Sequence, residues 1–366
     1  MASHGIPRVS SSEVPTEQSR LKEAQKIVQY RHLADLVNHK YGEGQLDIDS
    51  LSLTSKLLTK NPEYYSIWNY RRRILQHLMP NSTPTTNSYS YENELKFLLP
   101  LLIQFPKCYW IWNHRVWVLE QADTSLPLEA ALAFWREELG LVSKMLARDS
   151  RNFHGWRYRR LVVKHLEALC SNHDVAEGSS LRSTHQIVED EFDYTTKMIE
   201  TNLSNFSAWH NRSLLIPRLL DNRQAGRDER KVMFESELAL IHKALYTDPY
   251  DQSLWYYHNY LLQHFDPAQQ QSATTTIYSP SNEESIHWLR HELDLLRELC
   301  DDEDGCRWIY QALVECSTIY TEVDRDTQHT LTRDLQLWLQ KLQDLDPLRF
   351  KRWKDAEAGL LVRTKA

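Results

Sequence analysis

The sequence predicts an all-α chain made of about seven helical hairpins in one repeat array. A motif centred on tryptophan returns along the chain at steps of 44, 44, 53 and 46 residues, and its five clear copies are centred at Trp68, Trp112, Trp156, Trp209 and Trp255. A nearly constant period in the forties is typical of stacked repeat units. Glycine is scarce, with 9 in 366 residues. No stretch of any length alternates between apolar and polar residues, so the pattern does not indicate strands.

The motif keeps fixed positions on both sides of the tryptophan. Three residues before it stands an aromatic residue in four copies, followed by a glutamine in the fifth: Tyr65, Tyr109, Phe153, Phe206 and Gln252. Three residues after it stands a basic residue: Arg71, Arg115, Arg159, Arg212 and His258. Residues three apart are neighbours on a helix. We therefore expect the aromatic residue and the tryptophan to fasten the second helix of each hairpin in place. The basic residue is expected at the edge of that face, near acidic neighbours, where it would serve packing and pairing between repeats.

The segment before each motif predicts the first helix of each hairpin. Apolar residues at three- and four-residue spacing mark five such segments, at 48–58, 92–104, 129–147, 184–200 and 234–246. In several copies a proline follows, because it ends one helix and fits the first turn of the next. Weaker copies near Trp308 and Trp353 add two hairpins. A further helix is expected at 20–41, with Leu21, Ala24, Ile27, Val28 and Leu33 on its inner side.

Composition and length set the domain organisation. We expect a mobile tail at residues 1–18, a single helical-repeat domain at 19–361 and a polar loop at 265–282, which is rich in Gln, Ser and Thr. The net charge of −7 argues against general affinity for nucleic acid. No apolar run reaches the ~18 residues of a membrane span. The start of the chain lacks a signal-peptide core, and five scattered cysteines fit reduced thiols in the cytoplasm.

The repeated motif resembles that of the protein prenyltransferase α subunits, whose repeats carry a Pro-x-x-Tyr-x-x-Trp-x-x-Arg core. Segments 152–160, 205–210 and 251–258 are most similar to the type II branch of that family, in its compact fungal form. The resemblance implies a crescent-shaped, right-handed superhelical array wrapped around a β subunit. It also implies an enzyme, a heterodimer that transfers geranylgeranyl from geranylgeranyl diphosphate to C-terminal cysteines of Rab GTPases presented by the Rab escort protein. The β subunit would hold the catalytic zinc, so no metal or cofactor is expected on this chain.

Lys107, Tyr109 and His154 are the candidates for a site. Lys107 lies at the expected start of a helix, where a cation is disfavoured unless an anion compensates for it. His154 and Trp110 replace the serine usual two residues before the tryptophan. The family resemblance implies that Lys107 reaches the isoprenoid diphosphate as a catalytic group, with Tyr109 and His154 beside it at the mouth of the pocket. The alternative is that Lys107 is a solvated lysine and His154 an interface histidine.

Other interpretations have less support. His287 and His291 with Cys300 and Cys306 suggest zinc ligands, but the cysteines are not spaced as C-x-x-C and both histidines fall on an amphipathic helix, so no metal site is predicted.

One functional alternative is the α subunit shared by farnesyltransferase and type I geranylgeranyltransferase, against which segments 153–154 and 251–253 argue. The other is a non-enzymatic helical-repeat scaffold. The period of about 44 rather than 34 residues argues against the tetratricopeptide kind.

Overall fold

The computed structural model describes residues 16–79, 90–174, 184–272 and 277–363. Within these ranges the chain is helical, with turns between helices and no strand, which confirms the predicted all-α class. The chain folds as two compact units, residues 1–178 and 179–366.

The first unit holds a leading helix and three hairpins. The leading helix is α1 (Glu17–Gly42). The hairpins are α2 (Ile48–Lys60) with α3 (Tyr65–Leu78), α4 (Tyr91–Gln104) with α5 (Tyr109–Ser125), and α6 (Leu128–Arg148) with α7 (Phe153–Asp174). Side chains at Asp47 and Ser90 cap α2 and α4 by accepting the backbone N–H three residues on.

The second unit holds four hairpins and one short helix. The hairpins are α8 (Thr184–Thr201) with α9 (Phe206–Asn222), α10 (Arg227–Thr247) with α11 (Gln252–Leu262), α13 (Asn282–Asp302) with α14 (Arg307–Val323), and α15 (Gln328–Leu345) with α16 (Phe350–Arg363). The short helix is α12 (Pro267–Ser272). Three hairpins in the first unit and four in the second make the predicted seven over the described residues.

Two segments near predicted boundaries differ in detail from the sequence expectation. Helix α1 begins at Glu17, inside the segment predicted as a tail, whose residues 1–15 lie outside the described residues. The predicted inner face of α1 is wrong for Leu21, Ala24, Ile27 and Val28, which are all exposed. Leu33 is half-buried, and the fully buried residue of α1 is Val37. The predicted polar loop at 265–282 contains α12, and both Ile277 and Tyr278 are buried. Its residues 273–276 lie outside the described residues.

Each central tryptophan locks the turn of its own hairpin. The five indoles are buried, and each Nε1–H donates to the carbonyl six residues earlier, at 2.7–2.9 Å, on Pro62, Pro106, Ser150, Leu203 and Pro249. Pro62, Pro106 and Pro249 therefore lie in the loop between the two helices of a hairpin, and not within the second helix as expected. In the weaker sixth copy, α14 begins at Arg307, so Tyr310 occupies the place of the central tryptophan.

The basic residue of the motif is buried at the joint between consecutive hairpins. The predicted pairing between repeats is therefore confirmed, and the predicted position at the edge of the helix face is wrong. Arginines on second helices make two-pronged ion pairs, at 2.6–2.7 Å, with glutamates on the first helix of the next hairpin: Arg71 with Glu94, Arg115 with Glu138, and Arg212 with Glu237. The exposed fractions of these arginines are 0–5%. We call these three arrangements the arginine–glutamate joints.

A third side chain completes each arginine–glutamate joint. It stands two residues after the tryptophan of the next hairpin and contacts the same glutamate: His114 on Glu94 at 2.8 Å, and Tyr158 and Tyr257 on Glu138 and Glu237 at 2.6 Å. Burial raises the pKa of Glu94, but the charge of Arg71 and the hydrogen bonds from Arg71 and His114 outweigh burial and hold that pKa well below its usual range. The carboxylate is therefore ionised in the folded chain.

We expect Arg115→Met to lower the free energy of unfolding by ~3–5 kcal/mol, because it leaves the buried Glu138 carboxylate without its cation. The added substitution Glu138→Gln should restore part of this loss, since it removes the uncompensated charge. Urea unfolding followed by circular dichroism measures both effects. Arg136→Met, at an exposed position on α6, is the control and should change stability by less than ~0.5 kcal/mol. Equal effects of the Arg115 and Arg136 substitutions would contradict a central role for the joint.

Candidate functional site

The aromatic residues three positions before each tryptophan are exposed, so the prediction that they fasten the hairpins from inside is wrong. Each is the first residue of the second helix of its hairpin. It lies beside the turn, past the last residue of the first helix. Tyr65, Tyr109, Phe153 and Phe206 are 57%, 39%, 66% and 47% exposed. The residue four positions later on the same helix lies beside each of them. We call these two positions of every second helix the helix-start face.

The helix-start face carries contacting rings in both units. In the first unit Tyr65 stacks on Trp110 of the next hairpin, with ring centroids 5.5 Å apart. In the second unit Phe206 stacks on His210 at 5.9 Å and meets Tyr256 of the next hairpin edge-on at 5.8 Å. Exposed aromatic side chains are residue types that are enriched at protein–protein interfaces.

Lys107 lies in the turn before α5, two residues ahead of the helix start. It directly precedes the N-cap residue Cys108, so the cation is still close to a helix N-terminus, and a neighbouring carboxylate compensates for its charge. Its ammonium is half-exposed and lies 3.5 Å from the Asp149 carboxylate at the end of α6. This ion pair ties the turn of the second hairpin to the turn of the third, and it holds the lysine near the start of α7.

Tyr109 and His154 line one shallow cleft between α5 and α7. Trp112 and Tyr158, which are buried, also line it. The Tyr109 and His154 ring centroids are 6.4 Å apart, and the backbone N–H of His154 donates to the side chain of Asn152. Tyr158 also belongs to an arginine–glutamate joint, so the packing between hairpins fixes the cleft. The structure thus brings together two of the three predicted site residues.

Arg157 is a cleft residue that the sequence analysis missed. Its guanidinium lies 5.5 Å from the centroid of the Tyr109 ring, and its side chain lines the same cleft. The signal was present one residue after the tryptophan, where the other copies read Asn69, Asn113, His210 and Tyr256. The residue type varies at this position from copy to copy, so the repeated motif does not single it out.

The charges around His154 are mainly positive. Partial burial lowers the pKa of His154 below its usual value, the charge of Arg157 lowers it further, and Lys107 adds to the effect, while Glu63 partly opposes it. A neutral imidazole beside Lys107 and Arg157 is an arrangement that suits a multiply charged anion. Lys107 itself lies outside the residues that line the cleft, although it is close enough for its charge to act on His154.

The metal ligands considered from the sequence do not form a site among the residues that the structure describes. His287, His291, Cys300 and Cys306 do not meet there as a group of ligand atoms. Instead, the Cys306 thiol lies 3.1 Å from the Pro249 carbonyl, as the Cys108 thiol lies 3.6 Å from the Pro62 carbonyl. The described helices include none that is both long and apolar enough to cross a bilayer.

Stacked helical hairpins with tryptophan-locked turns, buried arginine–glutamate joints and an exposed aromatic face define a helical-repeat protein. Comparison with known proteins shows to which family of repeat proteins the chain belongs. Five segments match the family described as "Protein prenyltransferase alpha subunit repeat", at residues 48–78, 91–122, 135–166, 188–219 and 234–265. The chain belongs to the protein prenyltransferase α-subunit family, as the motif predicted.

Two fungal relatives match over nearly the whole chain. The geranylgeranyl transferase type-2 subunit alpha of Schizosaccharomyces pombe is 37% identical, over 96% of this chain and 96% of the relative. The protein of the same name from Saccharomyces cerevisiae is 33% identical, over 96% of this chain and 97% of the relative. A solved structure described as "Candida albicans protein geranylgeranyltransferase-I complexed with GGPP" has a TM-score of 0.60 at 20% identity, over 91% of this chain and 90% of that one. This last likeness concerns the fold.

We expect Arg157→Gln to raise the pKa of His154, because the charge of Arg157 is the largest cause of the lowered pKa after burial. The imidazole would then be protonated at a higher pH than in the wild type. A pH titration of the histidine Cε1–H signals by NMR, assigned with His154→Gln, measures the shift. Arg136→Gln on α6 removes an equal charge elsewhere and should leave the His154 titration unchanged. An unaltered titration in Arg157→Gln would separate Arg157 from the cleft.

Proposed function

We propose that this chain is the α subunit of a heterodimeric protein geranylgeranyltransferase type II. The heterodimer transfers geranylgeranyl from geranylgeranyl diphosphate to C-terminal cysteines of Rab GTPases presented by a Rab escort protein, in the cytoplasm. The observation that carries this proposal is the 37% identity, over nearly the full length of both chains, with a fungal protein named as the type-2 α subunit. Relatives at 32–37% identity over nearly the whole chain share that name, which favours type II over the α subunit of the farnesyl and type I enzymes.

The helix-start face is the surface that we assign to the β subunit. Its exposed rings Tyr65, Tyr109 and Phe153 in the first unit and Phe206 and Tyr256 in the second are the residue types enriched at interface centres. An obligate heterodimer buries more than ~2,000 Å². A repeat array supplies such an area because each hairpin adds its own pair of exposed side chains.

Within the proposed heterodimer, the cleft at the start of α5 and α7 would face the isoprenoid diphosphate. Lys107 and Arg157 supply positive charge, Tyr109 a hydroxyl donor and neutral His154 an imidazole N–H. Negative charge grows on the diphosphate as its bond to the isoprenoid breaks, so these groups bind the transition state better than the ground state. Zinc, expected on the β subunit, would lower the pKa of the acceptor thiol.

A transfer assay with two β subunits tests the proposed function. The chain is co-expressed with a type II β subunit and, separately, with a type I β subunit, and each product is purified. We expect a stable heterodimer with the type II partner that modifies Rab in the presence of escort protein and does not modify a CaaX peptide. Assembly with the type I partner and modification of the CaaX peptide would support the shared α subunit. A monomer in both cases would support the scaffold.

We expect Lys107→Ala to slow single-turnover transfer to escort-bound Rab by roughly 10- to 150-fold. The variant loses a hydrogen bond to a charged group, which is worth ~1.5–3 kcal/mol. Because that charge develops in the transition state, the rate should fall more than the affinity for geranylgeranyl diphosphate. Lys107→Arg should recover part of the rate, since it keeps the charge and changes the geometry.

The control for Lys107→Ala is Lys96→Ala, which removes an exposed lysine that pairs with Glu92 on α4 at 2.7 Å. It should leave the rate unchanged. Glu63, at the same motif position one hairpin earlier, is a poorer control because its charge acts on His154. Equal rates for wild type and Lys107→Ala would remove Lys107 from the reaction.

We expect Tyr65→Ser combined with Phe153→Ser to weaken the affinity for the β subunit about 30-fold. Each buried interface aromatic contributes ~1 kcal/mol or more, and the two together correspond to ~2 kcal/mol. Both rings are exposed in the free chain, so its circular dichroism should not change. Leu99→Ser, at an exposed apolar position on α4, is the control. Biolayer interferometry measures the dissociation constants, and an unchanged value for the double variant would place the partner on another face.

A further inference from the structure

The joint between the α10–α11 hairpin and the α13–α14 hairpin differs from the arginine–glutamate joints. The glutamate is present as Glu292 on α13, but the motif arginine is replaced by His258 on α11. His258 Nε2 lies 2.7 Å from one carboxylate oxygen of Glu292, and His242 Nε2 from α10 lies 2.8 Å from the other. Two imidazoles therefore stand where the other joints have a guanidinium.

This substitution changes how the buried charge is balanced. The side chain of Glu292 is 2% exposed and that of His258 is 1% exposed. An ionised carboxylate at this depth requires a positive charge beside it. An arginine supplies that charge itself, whereas two neutral imidazoles supply none, so a bound cation would be needed to balance the carboxylate.

The same three side chains have the chemistry and the spacing of a metal site. The ligand atoms of His242, His258 and Glu292 all lie within 4.8 Å of one another. Two imidazole nitrogens and one carboxylate oxygen form a donor set that proteins use for Zn²⁺. The donors come from three different packed helices, α10, α11 and α13, so the backbone holds them in place.

The surroundings leave room for a fourth ligand on one side. The His242 side chain is 13% exposed, so solvent reaches the group from that direction. The ring of His291, an exposed residue on α13, lies 6.5 Å from the ring of His242. Water that reaches the group from this side would complete the four-coordinate geometry that Zn²⁺ prefers.

We propose that His242, His258 and Glu292 bind one Zn²⁺ ion, which links α10, α11 and α13 in place of the arginine found at the other joints. Each imidazole donates its Nε2 lone pair and carries its proton on Nδ1, and Glu292 donates one carboxylate oxygen. The ion neutralises the buried carboxylate and ties consecutive hairpins together. This role is structural and is separate from the zinc expected on the β subunit.

The array itself provides the test variant. His258→Arg places at this joint the residue that Arg71, Arg115 and Arg212 provide elsewhere, so it removes a ligand while restoring the ion pair. Wild type and variant are co-purified with the same partner subunit, stripped with a chelator and dialysed against micromolar Zn²⁺. Metal content per heterodimer is measured by mass spectrometry. Comparing the two proteins cancels any zinc that the partner holds.

We expect the wild type to retain one equivalent of Zn²⁺ more than His258→Arg. Co²⁺ should give a visible d–d absorption band in the wild type that the difference spectrum against His258→Arg isolates. His242→Gln, which keeps the His258–Glu292 pair, should weaken Zn²⁺ binding at least tenfold and provides a second measurement if His258→Arg fails to assemble. Equal metal content and no difference spectrum in both comparisons would overturn the proposal and leave the group a hydrogen-bonded joint.

Discussion

The buried ion pair between consecutive hairpins is the interaction on which the array depends. A single hairpin cannot bury both of its faces, so each one is stable only against its neighbours. Arg71, Arg115 and Arg212 each reach across to a glutamate 23 or 25 residues further along the chain. A buried pair of this kind is not more stabilising than a well-packed apolar contact, but breaking it is costly. In this array the ion pair fixes the register between neighbouring hairpins, because a hairpin displaced by one helical turn would leave a buried charge unpaired.

This constraint explains how the motif divides its repeated positions. The tryptophan and the arginine face inward, where the first holds the turn of its own hairpin and the second holds the next hairpin. The aromatic residue at the helix start faces outward and takes no part in either task. An exposed aromatic residue at this repeated position does not stabilise the hairpin from inside, and binding to a partner would account for it. The cleft lined by Tyr109, His154 and Arg157 lies between the starts of α5 and α7, within this exposed face.

Periodicity predicted the helices well because it depends on neighbours close in sequence. The first-helix segment predicted at 48–58 is observed as Ile48–Lys60, and the one predicted at 92–104 as Tyr91–Gln104. The motif predicted that the arginine pairs between repeats, but it could not show the arginine's burial or name its partner, because the glutamate lies on another helix. Spacing placed the aromatic residue and the tryptophan on one side of a helix, but it could not show that the aromatic residue lies past the end of the neighbouring helix.

The sequence likewise predicted only part of the candidate site. Lys107, Tyr109 and His154 were named from the family resemblance and from departures within the repeat, and the structure places Tyr109 and His154 together in one cleft. Their chemical roles remain proposals. Arg157 required the structure, because only the packing of α7 against α5 brings its guanidinium onto the Tyr109 ring. For the same reason the group of His242, His258 and Glu292, drawn from three helices, is not visible as a sequence pattern.

Hydrogen–deuterium exchange of the chain, alone and bound to its β subunit, tests most directly whether the helix-start face meets the partner. The first turn of a helix has N–H groups without partners within the helix, so these amides exchange fast until another surface covers them. We expect new protection at the starts of α3, α5, α7, α9 and α11, with little change along the first helices α2, α4, α6, α8 and α10. Protection concentrated on those first helices, with the second-helix starts unchanged, would contradict this account.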